Sequence, residues 1–330
     1  MGGALASTPF SLPGSPPPTN RNLSSRLSGR RGSRRTSTLP LVSMIEGFQE
    51  EAARGSGRRR LLKHPLLAFY VLACAVTWAF HIPLALAAVG AVGWRLPAWV
   101  HVLGALGPLA ASLGMTWATR GPAGLRDLAR RATTWQGGWG WLAFALLSPG
   151  ACFLASGAAL SLFRGDMTAL RGFGYAAELP QLGWLGTWLL WTLTFGFCEE
   201  MGWRGFMLPR LQQGRGAYAA TLLLGLLWAF WHVPSFFYNM PVNPMVWVAF
   251  LISILAGSVV MTWLYNSTGG SILIPALWHG AFDTAVAGAD GMVAGAVNAC
   301  VIAGAIVILR RYGPDALSPQ PKQVVSRGQE

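Results

Sequence analysis

The chain has 330 residues, of which 53% are hydrophobic and only 11% are charged, and its net charge is +13. Charged residues make up about a quarter of a soluble globular domain, so this composition excludes an ordinary soluble enzyme. Apolar stretches of about 20 residues recur along the chain, and each has the length that a transmembrane helix needs. We therefore predict an all-α, polytopic membrane protein with about eight transmembrane helices and a buried polar site between the later ones.

The chain is expected to divide into three parts. Residues 1–64 are rich in Ser, Gly, Pro and Arg and poor in aromatic residues, which is typical of disordered chain. We interpret them as a disordered, basic cytoplasmic leader in which Met44 offers an alternative start. A transmembrane domain is predicted at 65–310, and a cytoplasmic tail that we expect to be loose follows at 311–330.

Eight apolar stretches are predicted to cross the membrane. They lie at 66–92, 98–118, 139–163, 182–201, 217–237, 245–265, 271–288 and 292–309. The seventh and eighth are rich in Gly and Ala, which is typical of positions where transmembrane helices pack closely. Between the second and third stretches, an amphipathic segment within 122–135 is expected to lie along the cytoplasmic interface.

The basic residues predict the orientation. With these stretches, 22 of the 25 Lys and Arg residues fall on one side of the membrane, and only Arg95, Arg164 and Arg171 fall on the other. By the positive-inside rule both termini are cytoplasmic. We interpret the positive charge as a signal of topology and of attraction to anionic membrane lipid, not of nucleic-acid binding. Richness in Ala, Gly, Arg and Trp favours a bacterial plasma membrane.

Two adjacent glutamates close the fourth apolar stretch. A carboxylate at membrane depth costs about 2.5–3.5 kcal/mol, so such groups are usually functional or tightly paired. Arg204 lies four residues beyond Glu200, so the two can pair on one helical face. Glu199 points about 100° away from Glu200 and has no basic residue three or four positions away. We expect it to face the bundle interior.

Two later stretches supply histidines at the same depth. Trp228 precedes His232 by four residues, so the indole would flank the imidazole. His279 and Asp283 share a helical face at the same spacing and could satisfy each other. A lone buried His is more often a packed residue than a functional one. A second His at membrane depth nevertheless favours a shared polar site.

This set of residues permits more than one chemistry. Glu199 with two histidines and Asp283 could activate a buried water as general base and stabilise an oxyanion. Glu199, His232 and His279 could also bind Zn²⁺, since Glu and His are ordinary zinc ligands, and the spacing does not decide between the two. The chain contains no HExxH, GxSxG or GxGD motif. His81 and His101 lie in stretches without acidic residues and are interpreted as packed or interfacial.

The three motifs together are similar to those of a known family. Glu-Glu-x-x-x-Arg, an aromatic-x-x-x-His and Gly-Ser-Ile followed by His-x-x-x-Asp occur in this order on late stretches. The chain thus resembles the CPBP intramembrane endopeptidases, also called the ABI or type II CAAX prenyl endopeptidase family. The resemblance covers roughly 183–290, which we predict to be the catalytic core.

The resemblance implies a function and roles for named residues. It implies an intramembrane endopeptidase, described in this family as a metalloprotease or as metal-free, acting on membrane-associated peptides or proteins. Glu199 and His232 would activate water, and His279 and Asp283 would hold the oxyanion. The supporting residues would be Glu200, Arg204 and Trp228.

Two positions depart from the family pattern, and one alternative function stays open. The aromatic position is more often Phe than Trp228. The last position is commonly Asn, and Asp283, when ionised, cannot donate a hydrogen bond as Asn does. It would orient His279, stay protonated or bind a metal. The alternative is a non-hydrolytic immunity or chaperone-like membrane protein on the same scaffold.

The predicted stretches also leave a geometric tension. Glu199 would lie near the cytoplasmic end of its helix, whereas His232 would lie about 22 Å along the next one at helical rise. The two meet if the fourth helix extends to about Leu208, which would bring Arg204 inside the bundle.

Overall fold

A computed structural model describes residues 63–177 and 179–325. The predicted leader lies outside the described residues, apart from its last two positions. Within the described ranges the chain folds into helices without β-strands, and each of the eight predicted apolar stretches corresponds to one helix. The helices are α1 (Pro65–Ala88), α2 (Ala98–Thr133), α3 (Trp139–Arg164), α4 (183–211), α5 (Ala217–Trp231), α6 (Pro244–Ser267), α7 (Leu273–Val286) and α8 (Gly291–Ala316).

The helices confirm an all-α, polytopic membrane protein. Within the described ranges, α1, α2, α3, α6 and α8 are each long and apolar enough to cross a membrane. The remaining three are special cases: α4 is interrupted, and α5 and α7 have only 15 and 14 residues. These three carry the candidate site residues.

The fourth helix is longer than predicted. The expected end at 201 is wrong, because the apolar residues Phe206, Met207 and Leu208 continue the helix to Leu211. It includes two π-helical segments, Thr192–Glu199 and Trp203–Met207. This extension removes the geometric tension, since Glu199 lies well inside the bundle and Arg204 is completely buried.

One further predicted boundary is close to the structure, and another is wrong. The second helix breaks at Gly121, three residues after the predicted end at 118, where a φ of 59° precedes Pro122, and a second helical part continues to Thr133. Its amphipathic part packs into the bundle, because Leu128 is buried and Arg131 Nη2 donates to the carbonyl of Gly205 at 2.9 Å. The fifth helix ends at Trp231 rather than 237, and a 3₁₀ turn follows over Val233–Phe237.

The expectation of a loose tail is wrong for its described part. Leu317 is fully buried, and the chain after it binds the ends of α4 and α6. Gln212 Nε2 donates to the carbonyl of Gln323 at 2.7 Å, and the backbone N–H of Gln323 donates to Asn266 Oδ1 at 3.1 Å. These contacts join the C-terminal ends of α4, α6 and α8 at one end of the bundle.

Candidate active site

Three helices meet at the polar site. Glu199, Glu200 and Arg204 lie on α4, His232 follows the end of α5, and His279 lies on α7. Helix α7 approaches α4 closely because each helix has a glycine at the contact. A Cβ at Gly196 would lie 2.5 Å from the carbonyl oxygen of Ala276, and one at Gly280 would lie 2.3 Å from Thr192 Oγ1. Only glycine fits such a contact.

Glu199 is buried and held by two indole groups. Its side chain is 2% exposed. Trp228 Nε1 donates to Glu199 Oε2 at 2.8 Å, and Trp203 Nε1 donates to the same oxygen at 3.3 Å. The other oxygen, Oε1, accepts no hydrogen bond from the described residues. The sequence left Glu199 without a basic partner, and the structure supplies neutral donors instead.

Glu200 contacts one side chain from its own helix and one from α7. Arg204 Nη1 donates to Glu200 Oε1 at 2.9 Å, the pair that their spacing predicts. His279 Nδ1 lies 3.1 Å from the same oxygen, a contact between α4 and α7 that the sequence did not reveal. The Arg204 guanidinium also lies 5.0 Å from the centroid of the Trp228 ring. This buried group ties α4 to α7 at the depth of Glu199.

The buried group is not fully satisfied. Within the described residues, Glu200 Oε2 and the Nε and Nη2 of Arg204 have no hydrogen-bond partner. A buried polar atom without a partner costs about 1–3 kcal/mol. Buried ion pairs are therefore weak contributors to stability, and this arrangement favours a functional purpose for the group.

The histidines differ in the groups that face their nitrogens. His279 has a carboxylate near each one, since Asp283 Oδ2 lies 3.6 Å from its Nε2 and Glu200 faces its Nδ1. Both nitrogens donate only in the charged imidazolium. His232 Nδ1 lies 2.8 Å from the carbonyl of Trp228. A carbonyl only accepts, so this nitrogen carries the hydrogen and Nε2 keeps its lone pair.

A cavity of about 100 Å³ opens beside these groups. Its lining includes His232, His279, Asp283 and Trp228. The Trp228 ring lies 5.8 Å from that of His232 and 5.3 Å from that of His279, measured between centroids. Trp228 therefore contacts the cavity, both imidazoles and the Glu199 carboxylate at once.

The three predicted metal donors do not form a zinc site in this conformation. Among the described residues, no three His, Cys, Asp or Glu side chains are grouped as a metal ion requires. Two indoles occupy one oxygen of Glu199, and both nitrogens of His279 face carboxylates. A zinc ligand must instead present a lone pair to the ion. We therefore derive no chemical step through a metal.

Two groups of aromatic residues near the site were not predicted from the sequence. Trp203 has no motif of its own, although its position four residues after Glu199 could have suggested the contact. His81 and His101, interpreted as packed residues, stack on each other at 4.9 Å between centroids. Tyr238 joins them, with its hydroxyl 2.7 Å from His101 Nδ1.

Comparison with known proteins identifies the segment that carries the site. Residues 181–285 match the family described as type II CAAX prenyl endopeptidase, Rce1-like. A relative named CAAX prenyl protease 2, from Methanococcus maripaludis, is 30% identical over 115 residues.

The match to this relative is partial. It covers 33% of this chain and 40% of the length of the relative. The matched segment, 181–285, contains α4, α5, α6 and nearly all of α7, and with them every predicted site residue from Glu199 to Asp283. The Methanococcus relative is archaeal by its name, so the bacterial origin predicted for this chain stays a prediction.

Proposed function

We propose that this integral membrane protein is an intramembrane endopeptidase that hydrolyses a peptide bond with water activated by Glu199 and His232. One observation carries the proposal: a buried carboxylate without a cationic partner of its own accepts a hydrogen bond from Trp228, whose ring packs against two imidazoles that line a cavity. A structural ion-pair cluster would not need this arrangement. The motif match with CPBP endopeptidases supports the same reaction.

The residues divide the reaction between them. Water in the cavity donates one hydrogen bond to the free Nε2 of His232. Glu199 Oε1 takes the other proton of this water molecule as the water oxygen attacks the peptide carbonyl carbon. The carbonyl oxygen becomes an oxyanion, which the positive charge of a protonated His279 stabilises electrostatically. Glu199 then returns the proton to the amine that leaves when the C–N bond breaks, so atoms and charges balance.

Supporting residues keep these groups in place. Glu200 and Arg204 hold His279 from the side of α4, and Trp228 and Trp203 hold Glu199. Asp283 acts on His279 rather than on the oxyanion, because its carboxylate faces Nε2 and an ionised carboxylate has no hydrogen to donate. This assignment favours an orienting role among the three open to Asp283.

The substrates and location follow from the same reasoning. The site lies inside a helical bundle, so we infer membrane-associated peptides or proteins as substrates and membrane lipid as the surrounding partner. The relative's name makes a prenylated CAAX peptide the first substrate to test. The positive-inside count places both termini in the cytoplasm.

The test compares wild type with Glu199→Gln, which keeps the shape of the side chain and removes its basicity. We expect cleavage of a prenylated CAAX peptide, or of native membrane proteins detected by proteomics, to fall at least a hundredfold, since general base catalysis contributes about 10²–10⁴-fold. Cys198→Ser serves as the control, because Cys198 lies next in sequence but donates to the carbonyl of Leu193 instead. Cleavage that persists in Glu199→Gln would overturn the proposal. Failure of both proteins to cleave would favour the non-hydrolytic scaffold.

A further inference from the structure

The indole of Trp231 packs against both sides of the pair proposed to activate water. Trp231 is the last residue of α5, and its side chain is buried. Its ring lies edge to face against the His232 imidazole at 4.7 Å and against the Trp203 indole at 5.9 Å, measured between centroids. Trp203 in turn donates to Glu199 Oε2. A shift of Trp231 would therefore disturb His232 directly and Glu199 through its donor.

The backbone before His232 is held by another helix. The last four carbonyls of a helix have no partner within the helix, and helix ends fray. At the end of α5, two of these carbonyls accept from side chains instead. The carbonyl of Trp228 accepts from His232 Nδ1 at 2.8 Å, and that of Trp231 accepts from Trp78 Nε1 at 2.9 Å. Trp78 lies on α1, so α1 fixes the end of α5 at the residue before His232.

The indole N–H of Trp231 is fixed by the same helix. Trp231 Nε1 donates to Thr77 Oγ1 on α1 at 2.9 Å, and Thr77 Oγ1 donates to the carbonyl of Gly104 on α2 at 2.7 Å. A hydroxyl can donate one hydrogen and accept another, so Thr77 makes both bonds at once. Thr77 is fully buried. Its hydroxyl therefore connects α5 to α1 and α2 in the interior of the bundle.

Helices α1 and α2 pack closely around this hydroxyl. A Cβ at Gly107 would collide with Thr77 Oγ1, and a Cβ at Gly104 would collide with the His81 ring. His81 Nε2 also donates to the carbonyl of His101 at 3.0 Å. These contacts leave little room for the hydroxyl to move. The packing of α1 against α2 thus determines where the Trp231 indole is held.

We infer that Trp231 is a positioning residue for Glu199 and His232, and that the Thr77 hydroxyl holds Trp231 in place. The inference rests on the proposed hydrolytic function, since it assigns both residues to that reaction. Neither takes part in a bond that forms or breaks, and each acts through the side chain that it contacts. Thr77 lies on α1, outside the segment 181–285 that matches the endopeptidase family. The reaction would then depend on a helix that the match does not include.

Kinetics on a prenylated CAAX peptide test the hydroxyl. Thr77→Val keeps the shape of the side chain and removes the hydroxyl. We expect kcat to fall about tenfold with KM unchanged within about twofold, because small misplacements of reacting groups are costly. Thr77→Ser keeps the hydroxyl and should restore most of kcat.

Thr221→Val is the matched control for Thr77→Val. Thr221 is also fully buried, but its hydroxyl lies 2.8 Å from that of Thr262 and joins α5 to α6. Both valine variants should unfold at a lower temperature than wild type, since each loses a buried hydrogen bond. Only Thr77→Val should lose kcat. An equal fall of kcat in both would overturn the inference, because it would reflect general packing.

A double-mutant cycle tests whether the hydroxyl acts through the indole. Trp231→Phe removes the N–H that donates to Thr77. In this background the hydrogen bond is already lost, so adding Thr77→Val should lower kcat by less than about twofold. A further fall of about tenfold would show independent effects and overturn the inference.

A measurement without hydrolysis separates this inference from the proposed function. ¹⁵N NMR of the full-length protein with labelled histidine, in lipid nanodiscs, follows the His232 ring, which is assigned with His232→Gln. The His232 resonance should move in Thr77→Val and stay in place in Thr221→Val. A resonance that stays in both, or moves equally in both, overturns the positioning role. A shift in Thr77→Val alone, in a protein whose wild type cleaves no peptide, supports the positioning role and counts against hydrolysis. Wild-type cleavage with unchanged kcat in Thr77→Val overturns the positioning role alone.

Discussion

At the scale of single residues, the unusual feature is the Glu199 carboxylate, which accepts hydrogen bonds only from uncharged groups among the described residues. A cationic partner would neutralise Glu199 and weaken it as a base. Two indole N–H groups fix one oxygen without adding a charge. The carboxylate thus stays oriented and remains a stronger base than it would be beside a cationic partner. Trp228 provides the shorter of the two hydrogen bonds. Phe is more common at this position in the family that the motifs resemble.

These indoles lead to the prediction that Trp228→Phe and Trp203→Phe lower kcat with little effect on KM. Phe keeps most of the ring but removes the N–H. A hydrogen bond to a charged group contributes about 1.5–3 kcal/mol, which corresponds to about tenfold to a hundredfold in rate. We expect the larger loss for Trp228→Phe, because its hydrogen bond is shorter.

Trp263→Phe provides the control for this series. The Trp263 side chain is half-buried, and its Nε1 is buried without a hydrogen-bond partner among the described residues. The substitution should therefore leave kcat within about twofold, much less than the loss of a hydrogen bond. Equal losses in all three variants would show that the ring, and not the N–H, is what matters.

The sequence predicts contacts within a helix better than contacts between helices. The spacing of Glu200 and Arg204 predicts their ion pair, and that of His279 and Asp283 predicts a close approach. The contact between His279 and Glu200 joins residues 79 positions apart, and a local spacing rule gives no information about such a pair. The catalytic roles of these residues stay predictions until the Glu199 variants are measured.

At the scale of elements, the site depends on how closely α7 packs against α4. Gly196 faces the backbone carbonyl of Ala276, and Gly280 faces the Cα, Cβ and Oγ1 of Thr192. The two π-helical segments of α4 lie on either side of Glu200–Gly202, so the polar residues occupy a helix of changing pitch. Such π-helical turns are rare and occur frequently at functional sites. The sequence analysis did not predict these segments.

This packing predicts the effect of adding one methyl group at each glycine. Gly196→Ala and Gly280→Ala should push α7 away from α4, separate His279 from Glu200, and destabilise the protein by about 1–3 kcal/mol, as overpacking generally does. Activity at a temperature where the variants remain folded should fall at least about tenfold, since small misplacements at a site are costly. Thermal unfolding in detergent and kcat measure the two effects.

Gly295→Ala is the control for both measurements, thermal unfolding and kcat. Gly295 lies on α8, where a Cβ would meet nothing within 4 Å. Alanine has the higher helix propensity, so stability should be unchanged or slightly higher. A contrary result would be normal activity in Gly196→Ala and Gly280→Ala, which would show that the close helix contact does not position the site.

At the scale of the whole molecule, the apolar stretches were enough to predict eight helices, but not where each one ends. The prediction ended the fourth helix at its charged residues, since Glu199, Glu200 and Arg204 resemble a membrane boundary. In the folded protein Glu200 pairs with Arg204 inside the bundle, and Glu199 accepts hydrogen bonds from two indoles there. A Pro- and Gln-rich tail looked loose for a similar reason, because Gln323 gave no sign of its contacts with Gln212 and Asn266.

The tail contacts also bear on orientation. They join the ends of α4, α6 and α8, and the backbone N–H of Gln136 after α2 donates to the carbonyl of Thr268 after α6 at 3.2 Å. The last turns of α2 and α4, which carry Arg130, Arg131 and Arg210, therefore lie at the same end of the bundle as the described tail. The three basic residues that the positive-inside count assigned to the other side include Arg164, which pairs with Asp290 between α3 and α8 at 2.7 Å.

This end of the bundle is predicted to face the cytoplasm, because clusters of Lys and Arg are retained on that side. Green fluorescent protein fused after residue 330 should fluoresce, and alkaline phosphatase inserted after Gly165 should be active. Both results are needed, since five crossings by α4 to α8 place Gly165 and the C-terminus on opposite sides of the membrane. Glu199 would then lie about 18 Å from the cytoplasmic end of α4 at Leu211, given the rise of a helix. An inactive phosphatase after Gly165 together with a fluorescent C-terminal fusion would mean that α4 to α8 do not all cross, and the depth assigned to the site would have to change.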